Sequence, residues 1–362
     1  MLHAQKVAGT SGSEAHLLSL LPGLRERGWD ARFLMLHEHE PGAQDFAREL
    51  ERRGVPVDAV ALSRDADPLA FLGLVRYLGA VRPRILHTHL VHADVYGQVA
   101  GTLARVPIRA STKHGFNDFR ARRLFALLDR AVASLAHVHV AISQGLARYL
   151  AETEGFDEGS FEIVHYGIEA GDGAAPYAGS EPRLLCVGRL IPVKGHAVLL
   201  RAFAQARTEV PGLRLDVAGR GPLEPQLREL VRELGLADSV RFLGQVAPVE
   251  AAIEEAAIVV VPSTGEGFGM VALEAMERAR PVIASSVGGL LDLVVDGDTG
   301  RLVEPGVVEK LRQAIVELAG DLPRAARLGA AGRRRAVAEF PASRCVDRTE
   351  LLYERALGSS GA

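Results

Sequence analysis

The chain has 362 residues, 48% apolar and 24% charged. At about 150 residues per domain this makes two globular domains and excludes the disordered, collagenous and small disulfide-stapled classes. Its 42 Lys and Arg stand against 45 Asp and Glu, a net charge of −3, without the basic excess of a nucleic-acid binder. Two cysteines, Cys186 and Cys345, make no disulfide framework and fit a reducing cytosol. The opening MLHAQKVAGTSG has neither the basic nor the apolar region of a secretory signal, and no run approaches about eighteen uninterrupted apolar residues. A soluble, cytoplasmic protein is expected.

Short apolar runs alternate with helical patterns along the whole chain. Met1–Lys6 is short and weakly apolar, a poor first strand. Further strands are expected at Arg32–Leu36, Val57–Leu62, Arg84–His87, Ile108–Ser111, Val138–Ile142 and Glu162–Val164, with amphipathic helices such as Ala43–Arg53, Leu69–Val81 and Leu124–Leu135 between them. The second half repeats the scheme. Strands at Leu184–Val187, Leu213–Ala218, Val240–Leu243, Ile258–Val261, Pro281–Ala284 and Arg301–Val303 alternate with helices at Ala197–Arg207, Leu223–Leu234 and Met270–Arg278. Strict alternation predicts parallel sheets covered on both faces. Glu169–Glu181, rich in Gly, Ala, Pro and Ser and without apolar period, reads as a linker. The expected architecture is α/β: two doubly wound, Rossmann-like domains over residues 1–168 and 182–340, their strand C-terminal ends facing a shared cleft. A helix at Pro341–Leu357, within residues 341–362, is expected to pack back on the first domain.

The most informative segment is PSTGEGFGMVALEAM, Pro262–Met276, which follows an apolar strand and opens a helix near Gly269. Its glycines permit close backbone approach, and free N–H groups at a helix start form an anion site. Glu266 and Glu274 flank that site, Glu274 about 7 Å along the axis from the helix start at 1.5 Å per residue. A phosphate held there would have a carboxylate on either side, the layout of a nucleotide diphosphate-sugar with hexose hydroxyls, two phosphates and ribose hydroxyls. A capped surface helix with two solvated glutamates explains the segment equally well when it is read alone. Gly188–Gly195 adds Arg189 and Lys194 on a strand-to-helix loop, where a diphosphate needs cations, and Ala218–Pro222 brings glycines to the same sheet edge.

Together with Phe242–Val246, Pro281–Gly289 and Asp296–Gly300, these segments resemble the retaining glycosyltransferases of family 4, which have the GT-B fold. The resemblance covers nearly the whole chain and is more specific in the second half. It implies that Arg189 and Lys194 hold the donor diphosphate and that Glu274 holds the ribose hydroxyls. Glu266, Gly267, Phe268 and Gly269 would meet the transferring sugar and phosphate, with Met270 and Val271 in the same donor-binding turn. Gly188, Gly219 and Val246 complete the donor site, Val246 on a loop at the base. In the first half, Gly9–Glu14 resembles the family's Gly-rich loop, with Gly12 near the donor phosphate or acceptor. Thr112–Phe116 resembles its histidine motif, with His114 near the sugar. Glu266, His114, Arg189 and Lys194 are the implied catalytic groups. A nucleoside diphosphate leaves as a stable anion, so its departure calls for positive charge and aimed N–H donors rather than a strong acid, and a glycosidase-like acid and nucleophile pair is the lesser reading.

The expected reaction is therefore transfer with retention from a nucleotide-sugar, a UDP-sugar by family frequency, without a cofactor or metal. The expected acceptor is a cell-envelope glycan or lipid-linked sugar, with a small natural product as the alternative. A nucleotide-sugar epimerase and a non-catalytic nucleotide-sugar-binding module share the fold class, while a dinucleotide oxidoreductase would want a G-x-G-x-x-G that Gly9–Gly12 does not supply. His87, His89 and His92 lack a carboxylate or thiol to complete a metal site and read as a hydrogen-bonded cleft edge. Asp65–Asp67 and Asp296–Asp298 read as turns, and Arg333–Arg335 as a solvated face. Val307–Lys310 follows Gly306 without the residues the family has there, which puts the next helix in doubt. Arg120–Arg130 has the makings of a basic amphipathic helix for peripheral contact with an anionic membrane surface, although packing on its own sheet is the commoner use of that pattern.

Overall fold

A computed structural model describes residues 1–9, 12–38, 40–63, 67–116, 129–171, 177, 179 and 181–359. It divides into two compact units, Met1–Gly167 with Ala342–Ala362, and Ile168–Pro341.

The first unit is built on seven parallel strands: β1 (Leu2–Lys6), β2 (Arg32–His37), β3 (Val57–Ala61), β4 (Ile85–His89), β5 (Ile108–Lys113), β6 (Val138–Ala141) and β7 (Phe161–Ile163). They lie in the order β3-β2-β1-β4-β5-β6-β7. The connecting helices include α1 (Gly12–Glu26), α2 (Pro41–Arg52), α3 (Pro68–Val81), α4 (Leu90–Leu103) and α5 (Gln144–Glu154). β1, weakly apolar as a sequence, is central in the sheet and almost wholly buried, because its polar side chains His3 and Gln5 find hydrogen-bond partners inside. Helix starts follow local chemistry: the Asp67 carboxylate accepts from the N–H groups of Leu69 and Ala70 ahead of Pro68, and the Ser143 hydroxyl caps α5. The last helix, α13 (Ala342–Ser359), belongs to this unit. Its Cys345, Val346, Leu352 and Tyr353 are buried in the same core as Leu17, Leu21 and Leu24 of α1.

The second unit has six parallel strands, β8 (Arg183–Val187), β9 (Arg214–Ala218), β10 (Val240–Gly244), β11 (Ile258–Val261), β12 (Val282–Ser285) and β13 (Gly300–Val303), ordered β10-β9-β8-β11-β12-β13. Its helices are α6 (His196–Ala206), α7 (Glu224–Glu233), α8 (Val249–Glu254), α9 (Met270–Glu277), α10 (Leu290–Leu293), α11 (Val308–Ala319) and α12 (Leu322–Glu339). Uninterrupted apolar strands such as Ile258–Val261 are what a sheet buried on both faces requires. In each unit the strand order reverses direction once, between β1 and β4 and between β8 and β11, the switch points at which sheets of this kind take ligands.

Several expectations are corrected. Ile168, expected to end the first domain, and residues 169–171, expected to open the linker, belong to the second unit: Ile168 N–H donates to the Phe340 carbonyl, and Gly171 N–H donates to the Glu277 carboxylate. Arg333 and Arg335 are not merely solvated. Arg333 donates to the carbonyls of Glu277 and Gly171, and Arg335 to those of Asp292 and Leu293, so they satisfy carbonyls at the C-terminal ends of α9 and α10. The doubted helix after Gly306 forms at once, with Val307 preceding α11. β4 runs on to His89, two residues past the expected end. Residues 117–128 lie outside the described ones, and with them most of the basic helix expected over Arg120–Arg130.

The end of β5 is anchored by a buried charge cluster. Lys113 Nζ lies 2.8 Å from Asp94 Oδ2 and 3.4 Å from Asp129 Oδ2. Asp94 Oδ1 also accepts from Thr88 Oγ1 at 2.5 Å and Ser111 Oγ at 2.8 Å. Removing one member strands its partners in a dry site, so Asp94→Ala and Lys113→Met should each lower unfolding free energy by about 3–5 kcal/mol. Urea denaturation checks this; a loss below ~1 kcal/mol would show the cluster to be wet.

Candidate functional site

The parallel sheet of the second unit sends the loops after β8, β9, β10 and β11 to one edge. The loop after β8 carries Gly188, exposed Arg189 and half-buried Lys194, and the loop after β9 carries Gly219. Beyond β10 lies Val246, half-buried; beyond β11 lie Glu266, Gly267, Phe268 and Gly269, with Met270 and Val271 opening α9 and Glu274 one turn on. Backbone hydrogen bonds lace these loops together. Gly188 N–H donates to the Ala218 carbonyl, Leu190 N–H to Arg220, Thr264 N–H to Val193, and Gly289 N–H to Glu266. At Gly219, φ is +136° and an added Cβ would stand 1.9 Å from the Gly188 carbonyl oxygen, so only glycine lets the two loops touch. Gly269, at φ +103°, turns the chain into α9.

Across the switch point between β8 and β11, Lys194 Nζ meets Glu266 Oε2 at 2.7 Å, and Ser263 Oγ donates to the same oxygen at 3.1 Å. Both side chains of the pair keep some solvent contact, 24% for Lys194 and 14% for Glu266. Such a pair contributes little net stability and can exchange partners. The cation expected to hold phosphate thus holds the carboxylate expected to meet the sugar, a link not read from the sequence. The signal was present: both residues sit in loops that flank the reversal of strand order. Glu274 is held differently. Burial pushes its carboxyl up to about 7, with Glu250 adding repulsion.

Of the residues expected in the first half, Gly12 is the first residue of α1 and His114 directly follows β5. His114 is half-buried, and both its ring nitrogens are engaged, one with His89 Nδ1 at 2.8 Å and the other with the Tyr166 hydroxyl. His87 and His89, expected at a cleft edge, are instead buried in the core of this unit. The register that pairs β1 with β4 sets His3 beside His87. Tyr166, His3 and Tyr353 were not singled out from the sequence: His3 is a polar residue in the short strand β1, Tyr166 follows β7 and Tyr353 lies in α13, so nothing local links them.

Two family models match the chain: "Glycosyl transferase 4-like domain" over residues 11–167 and "Glycosyl transferases group 1" over residues 181–321. The chain belongs to the group 1, family 4 glycosyltransferases. A GDP-mannose-dependent alpha-(1-6)-phosphatidylinositol monomannoside mannosyltransferase of Mycobacterium tuberculosis is 36% identical over 171 residues, 45% of this chain and 44% of that protein. A D-inositol 3-phosphate glycosyltransferase of Nocardia farcinica is 36% identical over 227 residues, 58% of this chain and 49% of that protein. The chain spans about half the length of these curated relatives or less. Among solved structures, Anabaena HepE in complex with UDP and glucose superposes with TM-score 0.82 at 21% identity, covering 98% of this chain and all of that one. A sucrose-phosphate synthase of Thermosynechococcus elongatus gives 0.78 at 23%, covering 99% and 100%. These likenesses show the GT-B fold.

The elevated Glu274 carboxyl makes stability pH-dependent with a definite sign. Its folded value near 7 lies above the ordinary 4.5, so between these values the folded chain keeps a proton that the unfolded chain releases. That contribution is complete below pH 4.5 and is lost as pH rises through 7. Glu274→Gln, which stays neutral, should therefore melt higher than the parent at pH 8 and near the parent's temperature at pH 5. Paired melting curves test this; an equal gap at both pH values would place an ionised carboxylate here throughout.

Proposed function

We propose that the protein transfers a sugar, with retention and without a metal ion, from a nucleotide diphosphate-sugar bound on the second unit. The observation that carries this reading is the Lys194–Glu266 pair beside the α9 N-terminus. A donor diphosphate is a stronger partner for Lys194 than one carboxylate, so binding replaces the ion pair and frees Glu266 for the sugar. Arg189 and Lys194 then stand where negative charge grows on the departing diphosphate, joined by N–H groups of the Gly267–Met270 turn. These fixed positive groups supply the charge a divalent ion would otherwise bring. Glu274, once ionised, accepts hydrogen bonds from the ribose hydroxyls, and Val246 and Val271 offer apolar contact to the nucleoside. His114 of the first unit takes the sugar contact that its motif implies.

For the donor, the mannosyltransferase relative is named for GDP-mannose, and this moves the expectation away from UDP-sugars. We take GDP-mannose as the first donor to try. The relative's name also carries a phosphatidylinositol monomannoside, which supports a lipid-linked acceptor over a small natural product. No described helix is long and apolar enough to cross a membrane.

The two glutamates separate this reading from simple nucleotide binding. Glu274→Gln exchanges a charge-assisted hydrogen bond for a neutral one and should weaken nucleoside diphosphate by about 1.5–3 kcal/mol, or roughly 10- to 150-fold. Glu266→Gln releases Lys194 and should leave nucleotide affinity equal or tighter while lowering the transfer rate, as for a contact that strengthens in the transition state. Calorimetry gives the affinities. Initial rates from GDP-mannose and UDP-glucose, with mannosyl- and glucosyl-acceptor lipids in excess EDTA, give the rest. Loss of transfer on adding EDTA, or weaker nucleotide binding by Glu266→Gln, would sink this arrangement.

A further inference from the structure

Seven side chains of the first unit form one unbroken line of hydrogen bonds. Thr112 Oγ1 meets His87 Nε2 at 2.6 Å, His87 Nδ1 meets the Tyr353 hydroxyl at 2.5 Å, and that hydroxyl meets His3 Nε2 at 3.0 Å. His3 Nδ1 meets His89 Nε2 at 2.9 Å, His89 Nδ1 meets His114 Nε2 at 2.8 Å, and His114 Nδ1 meets the Tyr166 hydroxyl. Period-two alternation along β4 puts His87 and His89 on one face. The register with β1 adds His3 beside His87, and that with β5 adds Thr112 beside His89. Tyr353 comes from α13 and closes the gap between His87 and His3. Six of the seven groups are buried, and His114 alone is part-exposed.

Every ring nitrogen of these four histidines is therefore engaged, and burial holds all four rings well below the ordinary histidine value, His87 near 3. A neutral imidazole has one donor nitrogen and one acceptor nitrogen. A donor at one link thus forces the orientation of the next imidazole, and the three consecutive rings His3, His89 and His114 all point one way. Either His114 carries its proton on Nδ1 and donates to Tyr166, or it carries it on Nε2 and donates to His89. It cannot change without His89 and His3 changing too. His3, His87 and His89 have ligand atoms within 4.8 Å of one another, but a metal ion there would have to displace hydrogen bonds already made at those nitrogens.

We propose that His3, His89 and Tyr353 are positioning residues for His114: the buried line fixes which His114 nitrogen carries the proton, and so what a donor sugar hydroxyl meets there. The proposal rests on the reading of His114 as a sugar contact. A hydroxyl arriving at the part-exposed ring takes the place of the Tyr166 hydroxyl at Nδ1. It finds a donor or an acceptor according to the orientation held by groups up to three links away. The C-terminal helix enters through one hydroxyl, that of Tyr353.

The test uses the full chain with ¹⁵N-labelled histidine. Long-range ¹H–¹⁵N spectra of the parent should show His114 as one neutral tautomer. His89→Phe, which removes the adjacent link, and Tyr353→Phe, which keeps the ring and removes only the hydroxyl, should both give averaged His114 nitrogen shifts. In both variants kcat should fall about tenfold or more while nucleoside diphosphate affinity stays within twofold, the pattern of lost orientation rather than lost binding. Tyr353→Phe serves if His89→Phe does not fold. A mixed tautomer in the parent, unchanged His114 shifts in the variants, or a stoichiometric metal in the purified protein would overturn the proposal. Unchanged kcat in the variants, with kcat lost in His114→Ala, would overturn it while sparing the sugar-contact reading. Unchanged kcat in His114→Ala itself would remove that reading and the proposal together.

Discussion

The ion pair between Lys194 and Glu266 joins the two sides of a parallel sheet at the one place where its strand order reverses. β8 and β11 are neighbours in the sheet but far apart in sequence, and each hands its chain to a loop at the same edge. Bringing a cation from one loop to a carboxylate from the other depends on Gly195, where an added Cβ would stand 2.0 Å from the Pro262 carbonyl oxygen, on the Thr264–Val193 backbone hydrogen bond, and on the apolar strands beneath. The pair is also poised. It is solvated enough to be weak, and it lies beside a helix start whose N–H groups favour an anion. A diphosphate is the kind of ligand for which such a pair would part.

The first unit uses polarity in another way. Its core holds a lysine between two aspartates on one run of contacts and four neutral histidines on another, both reached through β4 and β5. Burying so many polar groups is tolerable only because each group is held by at least one partner. Both clusters converge on the end of β5, at Lys113 and His114, so the residue proposed for the sugar contact directly follows a strand end that is held by both. The price of such bracing is that a single lost hydroxyl is felt several residues away.

Much of the fold was legible in the sequence. Strands such as Ile258–Val261 are uninterrupted apolar runs, and helices such as α3 open on an Asp-Pro pair, so their type and order could be read from local chemistry. β1 was a poor strand by composition because its stability comes from partners supplied by β4, α1 and α13. The role of Arg333 and Arg335 was likewise hidden, since a carbonyl at a helix end leaves no mark in the sequence. The donor loops were legible because glycine spacing and charge are local properties. The pairing of Lys194 with Glu266 and the engagement of both His114 nitrogens were not, because each depends on which strands lie side by side.

The claim on which the rest depends is that Lys194 exchanges Glu266 for a nucleotide phosphate. Calorimetric titration of GDP and UDP into the parent chain and into Lys194→Met, at two salt concentrations, addresses it directly. The account predicts that Lys194→Met binds both nucleotides at least about tenfold more weakly, with a shallower salt dependence, since one charge-assisted contact to phosphate is gone. Equal affinity in the parent and the variant would contradict it, and would leave the ion pair as a structural brace.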